Sequence, residues 1–123
     1  MSSDFAIRLV VDDARSVATV EVSGDFDAAR VEQFDGRVAS VPLDQRAVVV
    51  DVRATTILDS AAIGALIRVA DRCRANGIAH STHVSRPFQV DLLRITGLDE
   101  FLSMVVVPGA PADGRTGRAD PFG

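Results

Sequence analysis

Residues 47–64, AVVVDVRATTILDSAAIG, constrain the fold more than any other stretch of this 123-residue chain. They open with Ala47-Val48-Val49-Val50-Asp51-Val52, a β-branched apolar run of the length expected for a strand buried on both faces. A turn follows, and Asp59-Ser60 offers two helix N-cap residues in succession. Ile63, Leu66, Ile67 and Ala70 then recur at the i, i+3, i+4, i+7 spacing of a helix with one apolar face. A strand that turns into such a helix is the unit from which α/β sheets are built, and it predicts an exposed Ser60 hydroxyl at the helix's positive end.

The first amides of a helix lack intrahelical partners and, with the macrodipole, favour an anion. A phosphate on Ser60 would therefore occupy a prepared place. A phosphoserine adds about −1.5 to −2 charge near neutral pH, a large increment on a formal net charge of −4. The neighbouring Asp59 carboxylate would repel it, so the expected switch acts on an interface more than on the fold. From local sequence alone, the same Asp-Ser pair reads more often as a plain N-cap.

Around this unit, Phe5, Ile7, Leu9 and Val11 alternate along a half-buried strand. Residues 17–22 read as a second strand joined to it in an antiparallel hairpin, through a connection that has no glycine to fix its turn type. Gly24-Asp25-Phe26-Asp27 reads as a loop, with Asp27 capping a helix over about 28–40 whose apolar face is Val31, Phe34 and Val38. Past the central helix, Asn76-Gly77 supplies a left-handed stop. A weak strand over about 78–84 carries His80, Ser81, Thr82 and His83 where an inner strand favours valine, and so suits a sheet edge. Pro87 starts a third helix with Phe88, Leu92 and Ile95 as its apolar face and Gly97 as its end, and 104–107 reads as a last strand. Residues 109–123 are rich in glycine, proline and alanine and predict a disordered tail after a domain spanning 1–107. The expected fold is α/β: one small mixed sheet, parallel in its middle and antiparallel at the hairpin, with amphipathic helices packed on it.

Composition narrows the function. All thirteen basic residues are arginine, acidic residues number seventeen, and no basic stripe suited to nucleic acid or an anionic membrane is present. No apolar run reaches the ~18 residues of a membrane span, and Met1-Ser2-Ser3-Asp4 lacks the order of a signal peptide, which predicts a cytoplasmic protein. The single Cys73 forms no internal disulfide and is expected to be a small buried group. His80 and His83, three apart on a strand of period two, point to opposite faces, so no shared metal is expected.

Four features resemble the STAS domain, in particular the bacterial anti-sigma-factor antagonists. They are Gly24-Asp25-Phe26-Asp27, similar to the family's Gly-Glu-Leu-Asp; the 48–52 run leading to Ile57-Leu58-Asp59-Ser60; Ile63-Gly64 with the following helix; and Leu92-Leu93-Arg94-Ile95-Thr96-Gly97-Leu98. The resemblance implies partner switching. The unmodified antagonist binds an anti-sigma factor that is also a serine kinase of the histidine-kinase-like ATPase fold. That kinase phosphorylates the serine after the motif aspartate, here Ser60, and the complex separates until a serine phosphatase restores binding. It also implies that Asp25, Asp27, Asp59, Ser60, Ala61 and Ala62 form the partner-binding surface, that the chain has no catalytic residue or cofactor of its own, and that ATP and magnesium belong to the kinase. Where the family reads Asp-Ser-Ser-Gly, this chain reads Asp59-Ser60-Ala61-Ala62. Ala62 is strained if that position needs positive φ and favourable if it is helical.

Two other readings compete. A STAS adaptor that is never phosphorylated, in a stress-signalling scaffold or a lipid-transporter complex, keeps the fold and makes Ser60 only a cap. An esterase nucleophile at Ser60 lacks the glycines of a nucleophile elbow, and both histidines fall on one later strand.

Overall fold

A computed structural model describes residues 5–108. Its strands are β1 (Ala6–Asp12), β2 (Val17–Phe26), β3 (Ala47–Leu58), β4 (Ala79–Val84) and β5 (Met104–Val106). Its helices are α1 (Val31–Ala39), preceded by a 3-10 turn Ala28–Arg30, then α2 (Ser60–Ala75) and α3 (Pro87–Ile95). The strands lie in the order β1-β2-β3-β4-β5, with β1 antiparallel to β2 and all later neighbours parallel. This is the mixed sheet expected from the sequence. The Met1–Asp4 leader reading and the tail at 109–123 lie outside the described residues.

The strand order decides where the helices go. Each parallel connection, β2 to β3, β3 to β4 and β4 to β5, steps in the same direction across the sheet, and right-handed crossovers that never reverse deliver every helix to one face. That face carries the buried Ala18, Val20 and Val22 of β2, Val48, Val50 and Val52 of β3, and Thr82 and Val84 of β4. Phe34, Leu66, Val69, Leu93 and Leu102 close the core over it. The other face, with Thr19, Val49, Asp51, Ser81 and His83, has no buried residue. The β-branched run of β3 is therefore buried on one face, not two. A sheet whose order never reverses also has no switch-point crevice, the usual ligand site of doubly wound folds.

Three more expectations change. β3 does not turn after Val52 but continues to Leu58, because β2 stays paired with it as far as Phe26 opposite Leu58; Gly24, Asp25 and Phe26 are strand, not loop. β4 is interior, since β5 adds along Thr82–Val84; only its first half is left as an edge. The α3 face also differs: Gln89 and Leu93 point inward while Phe88 is 38% and Ile95 84% exposed. Gln89 is inward because its amide is fully used there. Its Oε1 accepts from the Ser85 and Arg86 amides at 3.0 Å each, and its Nε2 donates to Val52 O at 2.7 Å and Thr55 Oγ1 at 3.1 Å. These bonds tie α3 to the part of β3 that β4 no longer reaches.

Left-handed residues close the turns that frame the central unit. Gly77 ends α2 at φ +67°, as expected. Ser16, at φ +56°, closes the hairpin that lacks glycine, and its carbonyl accepts from the Arg46 amide at 2.8 Å, anchoring the entry to β3.

Candidate functional site

Parallel pairing carries β2 and β3 to the same end of the sheet, where Asp25 faces Ile57. Two register irregularities, between Glu21 and Ser23 and between Gly24 and Asp25, each set an extra β3 residue against β2 and bend the end of β3. Gly24 takes φ +88° there, a conformation that costs glycine little. The chain then enters the turn at Ala28 beside the start of α2.

One side chain holds the two helix starts together. Asp59 is the N-cap of α2, its Oδ1 accepting from the Ala62 amide at 2.9 Å, while its Oδ2 accepts from the Ala28 amide at 3.0 Å. The Asp59 amide reaches Phe26 O at 3.4 Å. Asp27 caps its own turn, accepting from the Ala29 amide at 3.1 Å, and Asp25 accepts the Thr56 hydroxyl at 2.5 Å. Three carboxylates thus stand at one end of the sheet, each met by an amide or a hydroxyl. That Asp59 bridges two helix starts was not visible in sequence, because its second partner lies thirty-one residues away.

Ser60 is the first helical residue of α2 and is exposed. Asp59 takes the cap and satisfies the Ala62 amide, leaving the Ser60 and Ala61 amides as the unpaired donors at the helix start. A hydroxyl on N1, backed by two free amides and the positive dipole end, can accept a phosphoryl group without disturbing the cap. Ala61 is half-buried. Ala62 is 0% exposed and helical, with its methyl in the core. It is unstrained, as the helical alternative required, but it offers a partner no surface.

The remaining candidates do not join this site. His80 and His83 lie on alternate faces of β4, and no group of three metal-ligating side chains occurs among the described residues. Both ring nitrogens of His80 are buried without a hydrogen-bond partner, and burial, with Arg74 adding repulsion, lowers its pKa from 6.5 to about 4. His83 is shifted down too, chiefly by burial. No histidine bonds to Ser60, so the nucleophile–base pair of an esterase is not formed among the described residues. Burial pushes the Cys73 thiol up, away from reactivity.

A family model described as "Mlab, STAS domain" matches residues 9–107. The chain belongs to the STAS family. Solved structures agree in architecture. An anti-sigma factor antagonist from Mycobacterium paratuberculosis has TM-score 0.68 at 22% identity, over 88% of each chain. The Bacillus cell fate determinant SpoIIAA in its phosphorylated form has 0.64 at 15% identity, over 83% of this chain and 91% of its own. A sulfate transporter family protein from Wolinella succinogenes has 0.61 at 19% identity, over 76% of this chain and 75% of its own. At these identities the likeness is one of fold. No curated protein matches the sequence. Among the described residues no helix is long and apolar enough to cross a membrane.

Proposed function

We propose that this STAS domain is an anti-sigma-factor antagonist, switched off by phosphorylation of Ser60. The observation that carries the reading is the exposed Ser60 hydroxyl on the first turn of α2, with Asp59 already holding the cap. Its solved neighbours include an anti-sigma factor antagonist and the cell fate determinant SpoIIAA in its phosphorylated form.

The unmodified protein docks on an anti-sigma factor that is a serine kinase of the histidine-kinase-like ATPase fold, in the cytoplasm. Asp25, Asp27, Asp59, Ser60 and Ala61 meet it, and Ala62 supports the turn from inside. The kinase holds ATP and magnesium. The Ser60 oxygen attacks the γ-phosphorus, ADP leaves, and the hydroxyl proton passes to a base of the kinase. The product carries about −1.5 to −2 charge beside three carboxylates, and repulsion plus desolvation open the interface. A serine phosphatase hydrolyses the ester and restores docking.

Incubation with the cognate kinase and ATP, read by intact mass and peptide mapping, is expected to place one phosphate, on Ser60. Ser60→Ala is expected to stay bound to the kinase when ATP is added, and Ser60→Asp to bind poorly. Equal affinity of both variants by calorimetry would remove the charge mechanism. The second reading, an adaptor that is never phosphorylated, for example in a stress-signalling scaffold or a lipid-transporter complex, is favoured by the likeness to a sulfate transporter family protein. An unmodified Ser60, or modification confined to Thr55 or Thr56, supports that reading.

A further inference from the structure

The outer side of α3 is apolar and uncovered. Phe88 and Ile95, two turns apart, are 38% and 84% exposed, and Leu92 between them is half-buried with its inner side against the core. Isolated exposed aliphatics are ordinary, but an aromatic and two aliphatics at i, i+4, i+7 on one short helix form a stripe. Asp91 and Arg94 flank it on one side, both exposed, and neither forms an ion pair within the described chain.

We infer that this stripe binds a second copy of the same chain, with the two α3 helices antiparallel. The charge pattern selects that occupant. In an antiparallel pair related by a two-fold axis, like flanks face each other, and a register that sets Phe88 against Ile95 of the partner brings Asp91 beside the partner's Arg94, twice. One sequence thereby supplies both halves of a self-complementary surface. A nine-residue helix covers less than the roughly 800 Å² per partner of a standard interface, so association is weak and depends on concentration.

Sedimentation velocity on the full chain, from about 10 μM to 1 mM, tests this with no kinase or phosphate present, so its outcome is independent of the switching mechanism. A monomer–dimer equilibrium is expected. Ile95→Glu is expected to raise the dissociation constant at least tenfold while leaving the melting temperature unchanged, since Ile95 lies outside the core. Asp91→Arg and Arg94→Asp are each expected to be monomeric alone and to form a heterodimer when mixed. The first variant then presents a flank with two positive charges and the second a flank with two negative charges, so each repels its own copy and attracts the other. A wild type that stays monomeric throughout, a dimer indifferent to Ile95→Glu, or charge variants that do not recover on mixing would overturn the assignment.

Discussion

α2 and α3 start at the same end of the sheet, follow parallel strands and carry similar apolar spacing, yet they use it in opposite ways. α2 turns Ile63, Leu66, Val69 and Ala70 into the core and leaves the hydroxyl of Ser60 outside. α3 turns Gln89 and Leu93 inward and leaves Phe88 and Ile95 outside. Periodicity therefore specifies that a helix has a face, but the surrounding hydrogen bonds decide which way it turns. At α2 the cap was available from Asp59 alone, so the apolar face was free to pack. At α3 the N-cap position is Arg86, and the helix is fastened by the buried Gln89 amide, which donates to Val52 O and Thr55 Oγ1 of β3 and accepts from the Ser85 and Arg86 amides.

The largest expected effect breaks this contrast directly. Leu66→Ala is expected to cost about 3 kcal/mol of unfolding free energy, because Leu66 is fully buried under α2 and its loss leaves a cavity. Ile95→Ala, the same kind of truncation on the outer side of α3, is expected to cost less than about 0.5 kcal/mol in the monomer. Urea denaturation of the two variants decides it. Similar losses would mean that α3 is packed from outside.

Gln89→Leu comes next. The leucine fills much of the same volume but strands the Ser85 and Arg86 amides and removes the bonds to Val52 O and Thr55 Oγ1, at an expected cost of about 2 kcal/mol. Hydrogen exchange is expected to rise first in α3 and the end of β3, with α2 still protected. A uniform loss across both helices would show that the two are not fastened independently.

These residues also show why part of the molecule was legible in its sequence and part was not. The 47–52 strand, the Asp59-Ser60 turn and the α2 face follow from short-range rules, and the position of Ser60 followed with them. The extension of β3 through Arg53 to Leu58 did not, because its polar start reads as a turn; pairing with β2 overrides that local preference. The inward place of Gln89 is not legible either, since nothing in its neighbourhood announces backbone partners more than thirty positions away. The polar composition of β4 suits an edge, but β5 adds along its second half, and His83 and Ser81 need no burial because the face they occupy carries no helix.

Acid sharpens the comparison from beneath. His80 lies on the helix-bearing side of β4, which packs against α2, and its pKa is about 4 in the folded protein against 6.5 as reference. Between those values the unfolded chain binds the proton and the folded chain does not, so stability is complete above about pH 6.5 and falls until about pH 4. The expected loss is on the order of 2 kcal/mol, discounted for the partial exposure of the ring. His83, also shifted down, adds to it in the same direction. Denaturation curves at pH 7 and pH 4.5 for wild type and His80→Leu test the assignment. The variant is expected to show a flatter dependence, and an unchanged slope would place the titrating group elsewhere.

The smallest effects separate holding the switch from being the switch. Asp59→Ala removes a cap from α2 and a bond to Ala28 together, so it is expected to cost about 1–2 kcal/mol and to loosen the joint between the two helix starts. Ser60→Ala, one residue on, replaces an exposed side chain on the first turn by a better helix former, and stability is expected to change by no more than a few tenths of a kcal/mol. Adjacent residues would then have distinct roles, Asp59 in the fold and Ser60 in the exchange of charge. Thermal melts of the two variants give the answer before any partner is in hand. If Ser60→Ala proved as destabilising as Asp59→Ala, the hydroxyl would be structural, and modifying it would unfold the turn instead of repelling a partner.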